Sequence, residues 1–194
     1  MISVLKRLLK KIINALISAF YGSFGSSSKI CRPTPTLVNK KNIFIGKNVF
    51  IRSYARIEPI LQWHEQKFNP KIIIEDGVTI EQNLHLICAE RVRIGAFSSV
   101  SSFVFITDTD HDYTDILKPV MEQPLLVNPT DIGECCFIGT GVKIMAGVHI
   151  GEHSVIGANA VVTHDIPPYS VAAGIPAKVI KQFNFKTKKW EKIK

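Results

Sequence analysis

Residues 132–162 read IGECCFIGTGVKIMAGVHIGEHSVIGANAVV. An aliphatic residue returns every sixth position, at Ile132, Ile138, Ile144, Ile150, Ile156 and Val162, and glycine follows it at Gly133, Gly139, Gly151 and Gly157. The residue two before each marker is aliphatic or small, as at Val142, Val148 and Ala160. A period of six is neither the 3.6 of a helix nor the alternation of a hairpin, so it describes short strands joined by regular corners. β-branched residues suit such strands and glycine suits the corners.

The same grid runs upstream through Ile45, Ile51 and Ile57, then Ile74, Ile80 and Leu86, then Ile94, Val100 and Ile106. Three units close one triangular turn, so fifteen markers predict an all-β chain: a parallel β-helix of about five coils, roughly 24 Å long at about 4.8 Å per coil. The predicted organisation is a basic amphipathic helix and linker at residues 1–33, the β-helix at 34–180, and a basic aromatic tail at 181–194.

The grid breaks in three places. Eleven extra residues, including Trp63 and His64, separate Ile57 from Ile74; two separate Leu86 from Ile94; twenty separate Ile106 from Ile132. Solenoids place insertions where they bind or assemble. The loop at residues 107–131, opening on ThrAspThrAspHisAspTyr, is therefore the prime functional candidate.

The net charge of +8 is concentrated at the ends: residues 1–33 and 178–194 each carry +6, so the segment between them is net acidic. That leaves no basic groove across the core, and nucleic acid is not an expected partner. Leu5, Leu9, Ile12, Leu16 and Phe20, with Lys6, Arg7, Lys10 and Lys11 between them, have the spacing of an amphipathic helix, which either lies on a membrane surface or caps the solenoid. The segment lacks the apolar length of a spanning helix and the cleavage site of a signal peptide. Cys31, Cys88, Cys135 and Cys136 show no CxxC spacing, and Cys135-Cys136 sits inside the repeat, which fits buried or half-buried thiols in a reducing compartment.

This repeat, with the closing stretch GlyIleProAlaLysValIle at 174–180, resembles the hexapeptide-repeat acyltransferases over roughly residues 42–180. It is most similar to those that O-acetylate O-antigen and capsular polysaccharide. The resemblance implies a left-handed winding, a homotrimer, and acetyl-CoA as co-substrate, lying in the groove between two solenoids.

From the residues alone, His111 is either a loop histidine in an acidic turn or a general base, since an imidazole can take a proton from a hydroxyl near neutral pH. The resemblance assigns it the base, because a histidine opens the long loop of the sugar O-acetyltransferases. It also suggests His85 as a second active-site imidazole. Glu81 stands where several relatives carry asparagine to hold the acceptor; Glu81, Asp108 and Tyr113 are the candidate acceptor contacts. Gly139 and Thr140 would lie near the thioester, with a corner N–H such as that of Gly139 meeting the oxyanion. Ala158 and Thr163 would follow the pantetheine arm, and Lys178 the 3′-phosphate; His164 replaces a lysine common in the family. His149 and His153 fall on a face and around a corner without a third ligand, so no metal is expected.

The reading that results is a cytoplasmic acetyltransferase, peripheral on the inner membrane, acting on a sugar hydroxyl of a lipid-linked polysaccharide precursor. Phe183, Phe185 and Trp190 in the basic tail would sit at the interface. The alternatives are an acetyltransferase for a small soluble acceptor, and a non-catalytic or metal-binding solenoid of the carbonic anhydrase kind.

Overall fold

The computed structural model describes residues 19–34 and 36–193. Two short 3-10 turns, Lys40–Asn42 and Val120–Glu122, are the only helical elements among them. Nearly everything else is short strand, stacked into three parallel sheets that form the faces of a triangular prism.

Face I stacks Ser23–Phe24, Ile43–Ile45, Lys71–Ile74, Arg91–Ile94, Thr130–Ile132 and His149–Ile150. Face II stacks Lys29–Ile30, Phe50–Ile51, Thr79–Ile80, Ser99–Val100, Phe137–Ile138 and Val155–Ile156. Face III stacks Thr36–Leu37, Arg56–Pro59, His85–Cys88, Phe105–Thr107, Lys143–Ile144 and Val161–Val162. The register places marker on marker: Ile45 lies beside Ile74, then Ile94, Ile132 and Ile150. All fifteen grid positions are at most 2% exposed. Each such side chain contributes about 1.5–3 kcal/mol of burial, which makes the stacked markers the main source of stability.

There are six coils, not five. Phe24, Ile30 and Leu37 pair with Ile45, Ile51 and Ile57 and form a first coil below them. The grid of aliphatic markers misses this coil because Phe24 is aromatic and Leu37 comes seven residues after Ile30. The solenoid thus begins at Ser23 and takes in the linker expected before residue 34. The amphipathic helix expected at the start of the chain lies, up to residue 18, outside the described residues.

At the other end Ser170–Ala173 adds a seventh parallel strand to face II. Lys178–Asn184 then pairs antiparallel with it, and Lys189–Lys192 antiparallel with that. The basic tail is therefore a hairpin continuing face II, and the boundary expected at 180 falls inside a strand. Its aromatic side packs Phe183 on Trp190 at 5.5 Å and Phe185 on Tyr169 at 4.9 Å between ring centres.

The corner glycines serve a different purpose from the expected turn. Left-handed backbone at the corners is carried mostly by other residues, among them Asn48, Tyr54, Asn83, Phe97, Phe103, His153 and Asn159. Gly139 instead sits where the next coil presses closest: a Cβ there would lie 2.7 Å from the Ala158 nitrogen and the Ile156 oxygen. Cys135 and Cys136 occupy one such corner and not a strand, the first exposed at φ 56°, the second buried.

Candidate active site

Both long insertions leave face III, two coils apart, and fold against each other. The shorter one forms a hairpin of Gln62–Trp63 with Gln66–Lys67. The longer one turns back on itself, pairing Thr109–His111 antiparallel with Leu125–Val127 so that His111 lies opposite Leu125. The hairpin clamps this ladder: Gln66 Nε2 donates to the Leu125 carbonyl at 3.1 Å, and the Leu125 N–H donates to Gln66 Oε1 at 2.7 Å. Trp63 Nε1 donates to the Gln123 carbonyl at 3.0 Å, and His64 Nε2 lies 2.8 Å from the Met121 carbonyl. Gln123, itself buried, holds the loop's outer turn through the backbone of Asp115 and Lys118.

His111 stands at the junction, partly exposed, with its ring edge-to-face on Trp63 at 5.3 Å. Its Nδ1 is buried without a hydrogen-bond partner among the described residues. The acidic neighbours do not orient the ring. Asp110 Oδ1 accepts the His111 backbone N–H at 2.8 Å, and Asp112 Oδ1 accepts that of Thr114 at 2.9 Å, a bond that holds the Asp112 carboxyl below its ordinary value.

Asp108 is not an acceptor contact. It is fully buried, Oδ1 accepting the Ala89 N–H at 2.8 Å and Oδ2 the N–H groups of Glu90 and Arg91 at 2.7 and 2.8 Å. A carboxylate saturated by three amides anchors the root of the loop on the preceding coil. Its nearness pushes the buried Cys88 thiol far above the ordinary value, after the larger effect of burial itself. Tyr113 projects from the loop, 69% exposed. Glu81 is partly exposed and held by Arg52 at 2.8 Å.

His85 faces outward from face III between Arg56 and Phe105, its ring edge-to-face on Phe105 at 5.1 Å. Glu58 Oε2 comes only to 3.9 Å from its Nε2, which is buried and unpartnered, because Arg56 holds that carboxylate at 2.9 Å. Burial lowers the His85 pKa, Arg56 lowers it further, and Glu58 partly opposes both. His85 and His111 flank the same face without a hydrogen bond joining them. Arg56, Glu58 and the contact of Trp63 with His111 were not anticipated. The first two could have been found by alternation, since they occupy outward positions of a face III strand; the contact of Trp63 with His111 has no signature in spacing.

Gly139, Thr140 and Ala158 fall on the edge between faces II and III, in the same corner column as Glu81 and on consecutive coils. Lys178 lies at the C-terminal end of this edge, beside Ala173. Thr163 lies on the opposite edge of face III, its hydroxyl 2.8 Å from His164 Nδ1. The small residues of the first edge leave a shallow wall of consecutive coils ending in a cation, as an extended thioester ligand with a terminal phosphate requires. The Gly139 N–H cannot serve an oxyanion, since it already donates to Ile156 at 2.9 Å. The adjacent Thr140 N–H has no acceptor among the described residues. His149 pairs with Asp131 at 3.3 Å, while His153 stacks on Tyr169, and no group of three or more metal donors occurs among the described residues.

Comparison with known proteins places this geometry. The model for bacterial transferase hexapeptide (six repeats) matches residues 129–164. The putative lipopolysaccharide biosynthesis O-acetyl transferase WbbJ of Escherichia coli K12 is 37% identical over 62% of this chain, which spans 65% of that relative's length. The galactoside O-acetyltransferase of the same organism is 38% identical over 79% of this chain and 74% of its own. Among solved structures, AntD, an N-acyltransferase from Bacillus cereus in complex with dTDP and 3-hydroxybutyryl-CoA, superposes with a TM-score of 0.74 over 89% of each chain at 20% identity, a likeness of fold. With its prism of stacked hexapeptide coils and a relative matched over three quarters of its length, the chain belongs to the hexapeptide-repeat acyltransferase family.

Proposed function

We propose that the chain is an acetyl-CoA-dependent O-acetyltransferase acting on a sugar hydroxyl of a lipopolysaccharide O-antigen or capsular polysaccharide precursor, working as a homotrimer wound in the left-handed sense. The observation that carries the reading is the presentation of His111 where two otherwise separate insertions lock together beside face III. Acetyl-CoA supplies an activated acyl carbonyl. His111 takes the proton of the acceptor hydroxyl as its oxygen attacks the carbonyl carbon, and the free Thr140 N–H meets the charge that develops on the carbonyl oxygen. Collapse of the adduct breaks the C–S bond, and CoA leaves as the thiolate that takes the proton back from His111. Gly139, Thr140 and Ala158 bound one wall of the thioester groove, Lys178 meets its terminal phosphate, and Thr163 borders the groove from the far edge of face III or from a neighbouring copy. Tyr113 and Glu81 are the remaining acceptor contacts, Glu81 only by releasing Arg52. His85, kept neutral by burial, assists from face III.

Similarity to WbbJ and the basic aromatic hairpin support a lipid-linked acceptor met at the cytoplasmic face of the inner membrane. Trp190 is partly exposed there among Lys189 and Lys192. Similarity to the galactoside enzyme favours a second reading, a small soluble sugar. Flotation with anionic vesicles separates the two, a protein that stays with the soluble fraction supporting the second. The chemistry is tested by His111→Ala: release of CoA thiol should fall by about a hundredfold or more while acetyl-CoA still binds, and near-normal turnover overturns it.

A further inference from the structure

Trp63 is the point at which the shorter insertion touches the base. A general base must keep its proton on the far nitrogen and its ring in one orientation, commonly through a bond from that nitrogen to an oxygen. Among the described residues His111 has no such bond: its Nδ1 is buried and unpartnered, and the nearby carboxylates of Asp110 and Asp112 are turned onto backbone amides. What the ring does have is the Trp63 indole, edge-to-face at 5.3 Å and 68°. Trp63 is itself fixed, by its Nε1 on the Gln123 carbonyl. Gln66, on the same hairpin, pairs with both backbone groups of Leu125, the residue opposite His111. Ring and base are thus tied to one short ladder.

We infer that Trp63 is a positioning residue, whose indole holds the His111 imidazole where a hydrogen-bond acceptor would otherwise do so; the hairpin at residues 60–70 is then part of the catalytic apparatus. The inference rests on His111 being the base. It is tested with Trp63→Phe and Trp63→Leu, each alone and combined with His111→Ala, by following CoA thiol release from acetyl-CoA with a pooled sugar acceptor.

Trp63→Leu should lower kcat about tenfold to a hundredfold with the KM for acetyl-CoA unchanged. Trp63→Phe, which keeps a ring but not the bond to Gln123, should restore most of that loss. In the His111→Ala background neither substitution should lower the residual rate further, because the group being positioned is gone. An equal fold loss in both backgrounds, a Phe variant as impaired as Leu, or a Leu variant with wild-type kcat overturns the inference. Should Trp63→Leu not fold, Gln66→Ala is read in the same two backgrounds: a kcat loss confined to the His111 protein supports the inference, and an equal loss or none in both overturns it. Failure of the base reading is separate and visible in His111→Ala alone, as near-normal turnover.

Discussion

Asp108 and Glu90 join the long loop to the coil beneath it, the Glu90 N–H donating to Asp108 Oδ2 at 2.7 Å. With the amides of Ala89 and Arg91 on the same carboxylate, the two extra residues between Leu86 and Ile94 form a cup for one side chain. Asp108→Ala leaves three N–H groups without an acceptor, that of the buried Ala89 among them, and should cost about 2–5 kcal/mol, read by urea unfolding. Asp108→Asn, which keeps one acceptor oxygen, should lose less. Wild-type stability for the alanine variant would mean that the amides find other partners.

Gly139→Ala should destabilise by about 1–3 kcal/mol, because its Cβ meets the backbone of the next coil, which cannot move without breaking a stacked rung. Thermal unfolding decides it. An unchanged melting temperature with lost acetyl-CoA binding would show that the position is glycine for the ligand and not for the stack.

The fold was legible because burial of the markers is enforced by register: a strand slipped by one residue would turn Ile94 or Ile138 to solvent, so the period had to be written into the sequence. The first coil was not, since Phe24 is aromatic and Leu37 departs from the period, and only pairing with Ile45 and Ile57 reveals them. At the site, the loop that carries His111 is legible because an interruption is visible against a strict period, while the role of base comes from the resemblance alone. The role expected of Asp108 was not found correctly. Spacing places that residue beside the histidine, while the structure aims its side chain inward, and only the positions of three amides settle which way a loop carboxylate points. The contact between Trp63 and His111 arises from two insertions 48 residues apart that share one face, a relation set by coil stacking and invisible along the chain.

His85 gives the protein an acid-sensitive term. Its folded pKa lies below the ordinary 6.5, so below that pH the unfolded chain binds a proton that the folded chain resists. Stability from this group is fully present above pH 6.5 and declines as the pH falls towards the depressed value. His85→Gln should flatten the decline of the melting temperature over this interval. A variant with the same slope as wild type would place the sensitivity elsewhere.

Phe97, Phe103 and Phe137 are exposed on face II and its two edges, and Phe97 and Phe103 hold left-handed backbone at φ 58° and 61°, where asparagine or glycine would sit with less strain. A second copy covering this face would repay both exposure and strain. Phe137→Lys should shift a trimer to monomers in sedimentation at micromolar concentration. A variant that sediments as wild type assigns the subunit contact to another face.

The hairpin of Lys178–Asn184 and Lys189–Lys192 reverses direction on a sheet whose other strands all run one way. A parallel stack grows by adding identical rungs, and an open last rung would template the first coil of another molecule, leading to fibres. Here the hairpin extends face II alone, so faces I and III offer no matching rung, and its outermost strand carries Lys189 and Lys192. The tail thus also acts as a terminator, limiting the solenoid to its own six coils and leaving side-by-side association as the route open to assembly.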